Sequence, residues 1–334
     1  MKHCLALYIV FTILFLTGCG DNKSYVVEGR VDGLTNYTVY AVTTDDHKIK
    51  IDTLIAKEGR FSFVSSGDSI APVIFYMEEQ SAWVTVWVRN GETITVAGNV
   101  NDPERIEING NEINDLLTGF KQQNKGASKD TLLSSAENFI KDHPASIASL
   151  VVIQDYLMED EDPGTLGRCL SLIESPAKED LLYARLNTVY HRILQTTPGS
   201  LAPGFSVVDV KGDTLTLDSF KDRFLLLAFE SFACNCYDET YPVLKKLRKR
   251  YSEKKLAILS IAFDEDPVEW EQIARKYAIS WQQGLDRQGL ASPLLTLYNI
   301  NTLPDYFLID NQRKIVAAHD SVGEIEILLR ERIK

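Results

Sequence analysis

A chain of 334 residues has room for two domains and a connector between them. Its apolar share of 45% is ordinary for a globular protein. The formal net charge is −12, an acidic balance that argues against a nucleic-acid partner.

The chain opens MKHCLALYIVFTILFLTGCG. Lys2 and His3 give a short positive start, and Leu5 to Leu16 form an apolar run. The run is too short to span a bilayer as a helix but has the length of a signal-peptide core. It ends in Leu16-Thr17-Gly18-Cys19, which resembles the lipobox of bacterial lipoproteins. The resemblance implies cleavage before Cys19 and acylation of that residue. Residues 1–18 are then a signal peptide and 19–23 a lipidated N-terminus. Several acyl chains on one residue anchor a protein without a spanning helix. An ordinary signal peptide or an N-terminal anchor helix is the alternative. Gly20 stands where the inner-membrane retention signal has Asp, so the expected location is the cell envelope of a Gram-negative bacterium, anchored to the outer membrane. Export implies an oxidising compartment. Of five cysteines, cleavage removes Cys4 and lipidation consumes Cys19, leaving Cys169, Cys234 and Cys236. Cys169 lies in the apolar helical pattern GRCLSLIE and reads as a small buried hydrophobe.

Residues 24–111 read as a β-rich domain. YVVEGRV, YTVYAV, IKIDTLIA, RFSFV, VIFYM, AWVTVWV, ETITVAG and RIEI are short, β-branched or aromatic, and separated by turn signals. Asn90-Gly91 between two of them predicts a two-residue hairpin, and Lys57-Glu58-Gly59 a second turn. In AWVTVWV, Trp83, Thr85 and Trp87 share one face and the valines the other, with core packing the expected use of the aromatic face. These strands predict an antiparallel sandwich or barrel. The arrangement resembles the small β-domain, of unestablished role, that precedes thioredoxin-like domains in many lipoproteins.

Residues 112–197 read as a helical connector. A break is expected at His143-Pro144, where Pro144 is suited to begin the next helix. His143 and His191 lack metal-ligand spacing. From 198 to 334 strands alternate with helices: FSVVDV and TLTL around Lys211-Gly212, buried FLLLAF, helical ETYPVLKKLRKRY, buried LAILSIAF, helical PVEWEQIARKYAI, YFLID paired with KIVAAH, and a last helix EIEILLRERI. This order predicts an α/β fold with a central sheet.

Two stretches carry a specific resemblance. LAPGFSVVDVKGDTLTLDSFKDRFLLLAFESFACNC resembles the opening of a thioredoxin-like domain of the redoxin, membrane-tethered thiol–disulfide reductase type. TLPDYFLID resembles that family's cis-proline loop. The resemblance implies a lipid-anchored thiol–disulfide oxidoreductase that acts on protein thiols and disulfides and exchanges electrons with a redox partner. No metal or organic cofactor is required. Cys234, at the end of the buried strand where a helix begins, is the expected nucleophile, because unpaired N–H groups and the helix dipole favour a thiolate there. Cys236 would resolve the mixed disulfide. Pro304 is the expected cis-proline, and Leu303 the backbone that meets substrate. Pro242 matches the proline inside the family's first helix.

The sequence also departs from the family. Ala233 replaces a tryptophan, and the second cysteine comes one residue early. Residues three apart on a helix lie about 60° apart around the axis, but residues two apart about 160°, so Cys-x-Cys cannot close on regular helix. Such a small ring predicts a strained pair, more oxidising or isomerase-like than that of the reductases. Glu239, three residues after Cys236, is a candidate proton relay, with helix capping or exposure as the alternative. Glu230 replaces an aromatic at the strand end. Facing Cys234 it would raise the thiol pKa, so it is expected to point away. His319 is expected to be exposed. Three rival readings stand beside the oxidoreductase. One is a degenerate thioredoxin that only binds proteins. Another is a peroxiredoxin-like peroxidase, with Ser231 at the hydroxyl position but Leu227 where proline belongs. The third is a Cu(I) module built on two thiolates.

Overall fold

The computed structural model describes residues 23–34, 37–45, 48–78, 81–158, 162–209, 211–231, 237–319 and 321–333. The chain forms two compact units. One takes in the chain up to Leu157 together with Ile173–Ala177, and the other takes in Met158–Leu172 and Lys178 onward.

The first unit holds eight strands: β1 (Tyr25–Asp32), β2 (Thr38–Asp45), β3 (Lys48–Ile55), β4 (Arg60–Ser65), β5 (Ala71–Met77), β6 (Ala82–Val88), β7 (Thr93–Asn99) and β8 (Asp102–Asn109). They make a sandwich of two four-stranded sheets, ordered β4-β1-β7-β8 and β3-β2-β5-β6. Alternation decides which residues enter the core. β1 buries Tyr25, Val27 and Val31 and exposes Glu28, Arg30 and Asp32. At Gly29 the ring of Phe61 occupies the place of a side chain, 2.1 Å from where a Cβ would stand. The pairing is antiparallel except between β1 and β7, which run parallel and are joined through the other strands.

Both predicted turns form, but neither closes a hairpin. Lys57 and Arg60 exchange backbone hydrogen bonds of 2.9 Å across Glu58 and Gly59, which have φ of 50° and 77°. That turn carries the chain from β3 to β4, in the opposite sheet. Asn90-Gly91 likewise passes from β6 to β7 across the sandwich. The Asn90 side chain is committed to the Gly67 backbone, accepting from N at 3.1 Å and donating to O at 2.7 Å. Turn chemistry sets local direction, while the two-sided core sets which strands pair.

The aromatic face of β6 is also not the core face. Val84, Val86 and Val88 enter the core, and Trp83 is 66% exposed. Trp87 is buried beside α1 (Glu112–Gln123), whose Asn114 accepts from Trp87 N at 3.0 Å and donates to its O at 2.7 Å. α2 (Lys129–Asp142) ends at the C-cap His143, as the following proline requires. α3 (Ile147–Tyr156) starts three residues after Pro144 rather than on it, because the Ser146 side chain caps Ala148 N.

The second unit begins with α4 (Pro163–Leu172), which buries Cys169, and α5 (Leu181–Thr196). Next come β9 (Ser206–Asp209), β10 (Thr214–Thr216), β11 (Phe224–Glu230), α6 (Tyr237–Arg250), β12 (Leu256–Ala262), α7 (Pro267–Lys276) and β13 (Gln282–Leu285). The chain ends with α8 (Pro293–Leu297), β14 (Asp305–Ile309), β15 (Ile315–Ala318) and α9 (Val322–Arg332). The sheet order is β10-β9-β13-β12-β11-β14-β15. β11 and β12 lie parallel at the centre and are buried on both faces, which is why they read as continuous apolar runs. Leu226 and Ala228 pack with α6 and α9, and Leu225, Leu227 and Phe229 pack on the other face with Phe307 and Tyr298. Among the described residues, no helix is long and apolar enough to cross a membrane.

Candidate active site at the carboxyl end of β11

β11 ends in a carboxylic acid. By strand parity Glu230 follows Leu226 and Ala228 onto the face that α6 covers, and it is 2% exposed. Its Oε2 accepts from the Tyr241 hydroxyl at 2.9 Å. Tyr241 comes from the second turn of α6, within an aromatic layer of Tyr237, Tyr277 and Trp281. The Trp281 Nε1–H donates to Ser260 Oγ at 2.9 Å. Burial pushes the Glu230 pKa up to about 8. Hydrogen bonds from Tyr241 and Ser260 pull the other way, and the nearby Asp264 charge adds to the rise. Glu230 is therefore a neutral acid at pH 7. The phenols of Tyr237, Tyr241 and Tyr306 are raised too, first by burial and then by Glu230. Beyond the strand, Ser231 Oγ donates to Asp264 Oδ1 at 3.0 Å.

β14 enters beside this strand end, with Asp305 opposite Phe229 in the antiparallel register. The Leu303–Pro304 peptide before it is cis. Leu303 and Pro304 are half-buried. Asp305 is 7% exposed. Its Oδ1 accepts from Tyr306 N at 2.8 Å, and its Oδ2 lies 2.7 Å from His319 Nδ1. His319 follows β15, donates its backbone N–H to Tyr306 O at 3.1 Å, and sets its ring edge-on to Phe307.

Residues 25–117 match a domain family of unknown function, DUF4369, and residues 198–318 match the AhpC/TSA family. The C-terminal unit carries a redoxin domain of the AhpC/TSA family. Over 118 residues the chain is 27% identical to the thiol–disulfide oxidoreductase ResA of Bacillus thuringiensis, a match that takes in 35% of this chain and 66% of that protein. Over 124 residues it is 26% identical to the thioredoxin-like protein YneN of Bacillus subtilis, covering 36% of this chain and 70% of that one. The chain thus spans just under two thirds of the length of the ResA relatives it matches. Among solved structures, it is 35% identical to a thiol–disulfide oxidoreductase from Bacteroides fragilis, covering 39% of this chain and 100% of that one at a TM-score of 0.37. A thioredoxin-like protein from Bacteroides caccae is 20% identical, with 61% and 78% covered and a TM-score of 0.48. The chain is multidomain, with a β-rich N-terminal domain, helices, and a thioredoxin-like α/β domain.

Within the redoxin domain, Cys234 and Cys236 lie outside the described residues, as does Cys19. Leu303 and Pro304 sit at the same end of the sheet as the segment that joins β11 to α6. Pro242 falls inside α6, where it cannot donate a backbone hydrogen bond. Glu239 is exposed on the first turn of α6, where its charge complements the helix dipole. The buried carboxyl is instead Glu230, which does not point to solvent but into the layer beneath α6. His319 is largely exposed, as expected, but it is held by a buried aspartate. Sequence reading missed the parts played by Tyr241, Asp305 and His319. For Glu230 a signal existed: a carboxylate at the same parity as Leu226 and Ala228 falls on a buried face.

Proposed function

We propose that the chain is a lipid-anchored thiol–disulfide oxidoreductase of the Gram-negative cell envelope, held at the outer membrane through Cys19. Residues 1–18 are its signal peptide, 24–111 its β-domain, 112–197 its helical connector and 198–334 its catalytic domain. Its substrates are protein thiols and disulfides, and a second redox protein completes the cycle. Cys234 attacks, Cys236 resolves, and the backbone at Leu303 receives the extended substrate. The dithiol chemistry needs no cofactor. The observation that carries the reading is the half-buried Leu303–Pro304 segment, set beside the end of β11 in a redoxin domain. Glu239, exposed on the first turn of α6, is the candidate proton relay for the resolving step.

The test is a glutathione redox titration of the full chain bearing Cys169→Ser, purified in detergent and read by thiol alkylation and mass. Clean interconversion of Cys234 and Cys236 between dithiol and disulfide is expected, at a potential more oxidising than that of a thioredoxin. If no disulfide joins them at any poise, the paired-cysteine reading is overturned and the domain is a binding scaffold.

A further inference from the structure

The sandwich of the first unit closes its sheet edges on one side and leaves one open on the other. β6 and β8 are sheet edges that α1 packs against. Asn114 of α1 bonds the backbone N–H and C=O of Trp87 on β6. Thr118 does the same for Ile108 on β8, accepting from N at 3.0 Å and donating to O at 2.8 Å. β3 is the opposite edge of its sheet, and among the described residues it pairs with β2 alone. It runs eight residues without a bulge, from Lys48 opposite Asp45 to Ile55 opposite Thr38, and contains no proline. Among the described residues, no side chain or loop bonds to its backbone. In an antiparallel ladder alternate residues turn their N–H and C=O away from the partner strand, so β3 presents a row of unpaired donors and acceptors. Ile49, Ile51 and Ile55 share its outer face and are 72%, 60% and 55% exposed. The register sets Val42 beside Ile51 and Ile74 beside Val42, so the apolar row continues across the sheet. Lysines usually blunt such an edge. Here Lys50 Nζ is neutralised by Asp52 of its own strand at 2.9 Å.

We propose that β3 is a self-association edge, along which two copies of the chain pair antiparallel about a two-fold axis through Ile51. The pairing goes beyond the thiol chemistry and does not depend on it. In this register the strand is complementary to itself. Each residue meets the one equally far beyond Ile51, so Lys50 faces Asp52 of the partner subunit, Ile49 faces Thr53 of the partner subunit, and Ile51 faces the partner's Ile51. Opposite charges and β-branched pairs set directly across a ladder stabilise it, and like charges there destabilise it. An axis through Lys50 or through Asp52 would bring like charges face to face, so charge selects Ile51. Residues of the same parity lie opposite one another, so the unpaired backbone groups of one strand meet those of the other. The two four-stranded sheets become one of eight strands, with their outer apolar rows joined at the Ile51 pair.

The experiment uses the full chain in detergent with Cys169→Ser, Cys234→Ser and Cys236→Ser, and single cysteines introduced on β3. Directly opposite Cα atoms lie about 4.5–5.5 Å apart, within disulfide reach. Ile51→Cys should therefore give a disulfide-linked dimer on mild oxidation, well above the parent chain. Thr53→Cys should not, because the two copies of that position stand four residues out of step, about 13 Å apart along the strands. Ile49→Cys and Thr53→Cys chains, mixed, should link to each other. Sedimentation of the reduced wild-type chain should give the protein mass of two copies. Asp52→Lys sets Lys50 against a second lysine and should raise the dissociation constant about tenfold. Lys50→Asp combined with Asp52→Lys restores the opposite charges and should restore the dimer. A wild-type chain that stays monomeric at every concentration would overturn the proposal. So would equal linking through Ile51→Cys and Thr53→Cys, an Asp52→Lys chain that associates like wild type, or a charge swap that fails to rescue it.

Discussion

Glu230→Gln should change how the redoxin domain responds to pH. A carboxyl with an ordinary pKa of 4.5 in the open chain and about 8 in the fold binds its proton more tightly when folded. The stability it contributes is fully present below pH 4.5 and is lost as pH rises toward 8, because the unfolded chain gives up the proton first. The two values differ by about 3.5, and each pKa unit is about 1.36 kcal/mol, so the loss approaches a ceiling of about 5 kcal/mol. Gln keeps an oxygen that accepts from Tyr241 and does not titrate, so the variant lacks this slope. The assay is urea unfolding of the reduced chain between pH 5 and 9, with Trp83 and Trp87 replaced by Phe so that fluorescence reports Trp270 and Trp281. With denaturant slopes of about 1–3 kcal/mol per molar, the wild-type midpoint should fall by about 1 M or more relative to Glu230→Gln between pH 5 and 8. Parallel pH dependences would refute the reasoning, since the carboxyl would then have to be ionised in the fold.

Tyr241→Phe removes the donor that lowers the Glu230 pKa. The carboxyl should titrate above its present value, and the same urea series should place the loss of stability at higher pH, with about 1 kcal/mol lost from the hydrogen bond itself. In the β-domain, Phe75 is fully buried, and Phe75→Ala should cost about 3–5 kcal/mol. Trp83→Ala, at an exposed position, should cost no more than about 0.5 kcal/mol. Thermal unfolding followed by circular dichroism distinguishes the two, and equal losses would mean that the aromatic face of β6 is covered.

Local chemistry was legible and long-range pairing was not. Most of the N-terminal strands stand out because they alternate between a core face and an open one, as β1 and β4 do. β13 does not, because Gln282-Gln283-Gly284-Leu285 has no strand pattern of its own. It is buried between β12 and β9, and Gly284 is small because Val207 lies 2.6 Å from where a Cβ would be. The turn at Asn90-Gly91 was readable from two residues. That it crosses between sheets depends on β1, more than fifty residues earlier, taking the place beside β7 that a hairpin partner would hold. The Leu303–Pro304 position was legible from one motif, whereas the Asp305–His319 pair needed the β14–β15 register, with its irregularity at Leu308/Ile309.

The neutral state of Glu230 also bears on the thiol pair. The start of α6 favours a thiolate in the segment before it, and a carboxylate in the same place would oppose one. Glu230 keeps its proton up to about pH 8, so under the proposed mechanism it sets no negative charge against ionisation of Cys234, four residues on in the sequence, at neutral pH. If the two groups interact they titrate as a pair, and the apparent values then belong to both. The measurement is the rate of Cys234 alkylation against pH, read by mass in the full chain with Cys169→Ser and Cys236→Ser. The expected profile has its main rise in the neutral range and a second inflection near pH 8, and Glu230→Gln should retain the first and lose the second. If the two profiles superimpose at every pH, the carboxyl and the sulfur do not interact. The burial of Glu230 under Tyr241 would then serve the seating of α6 on the sheet, with no part in the chemistry of the thiols.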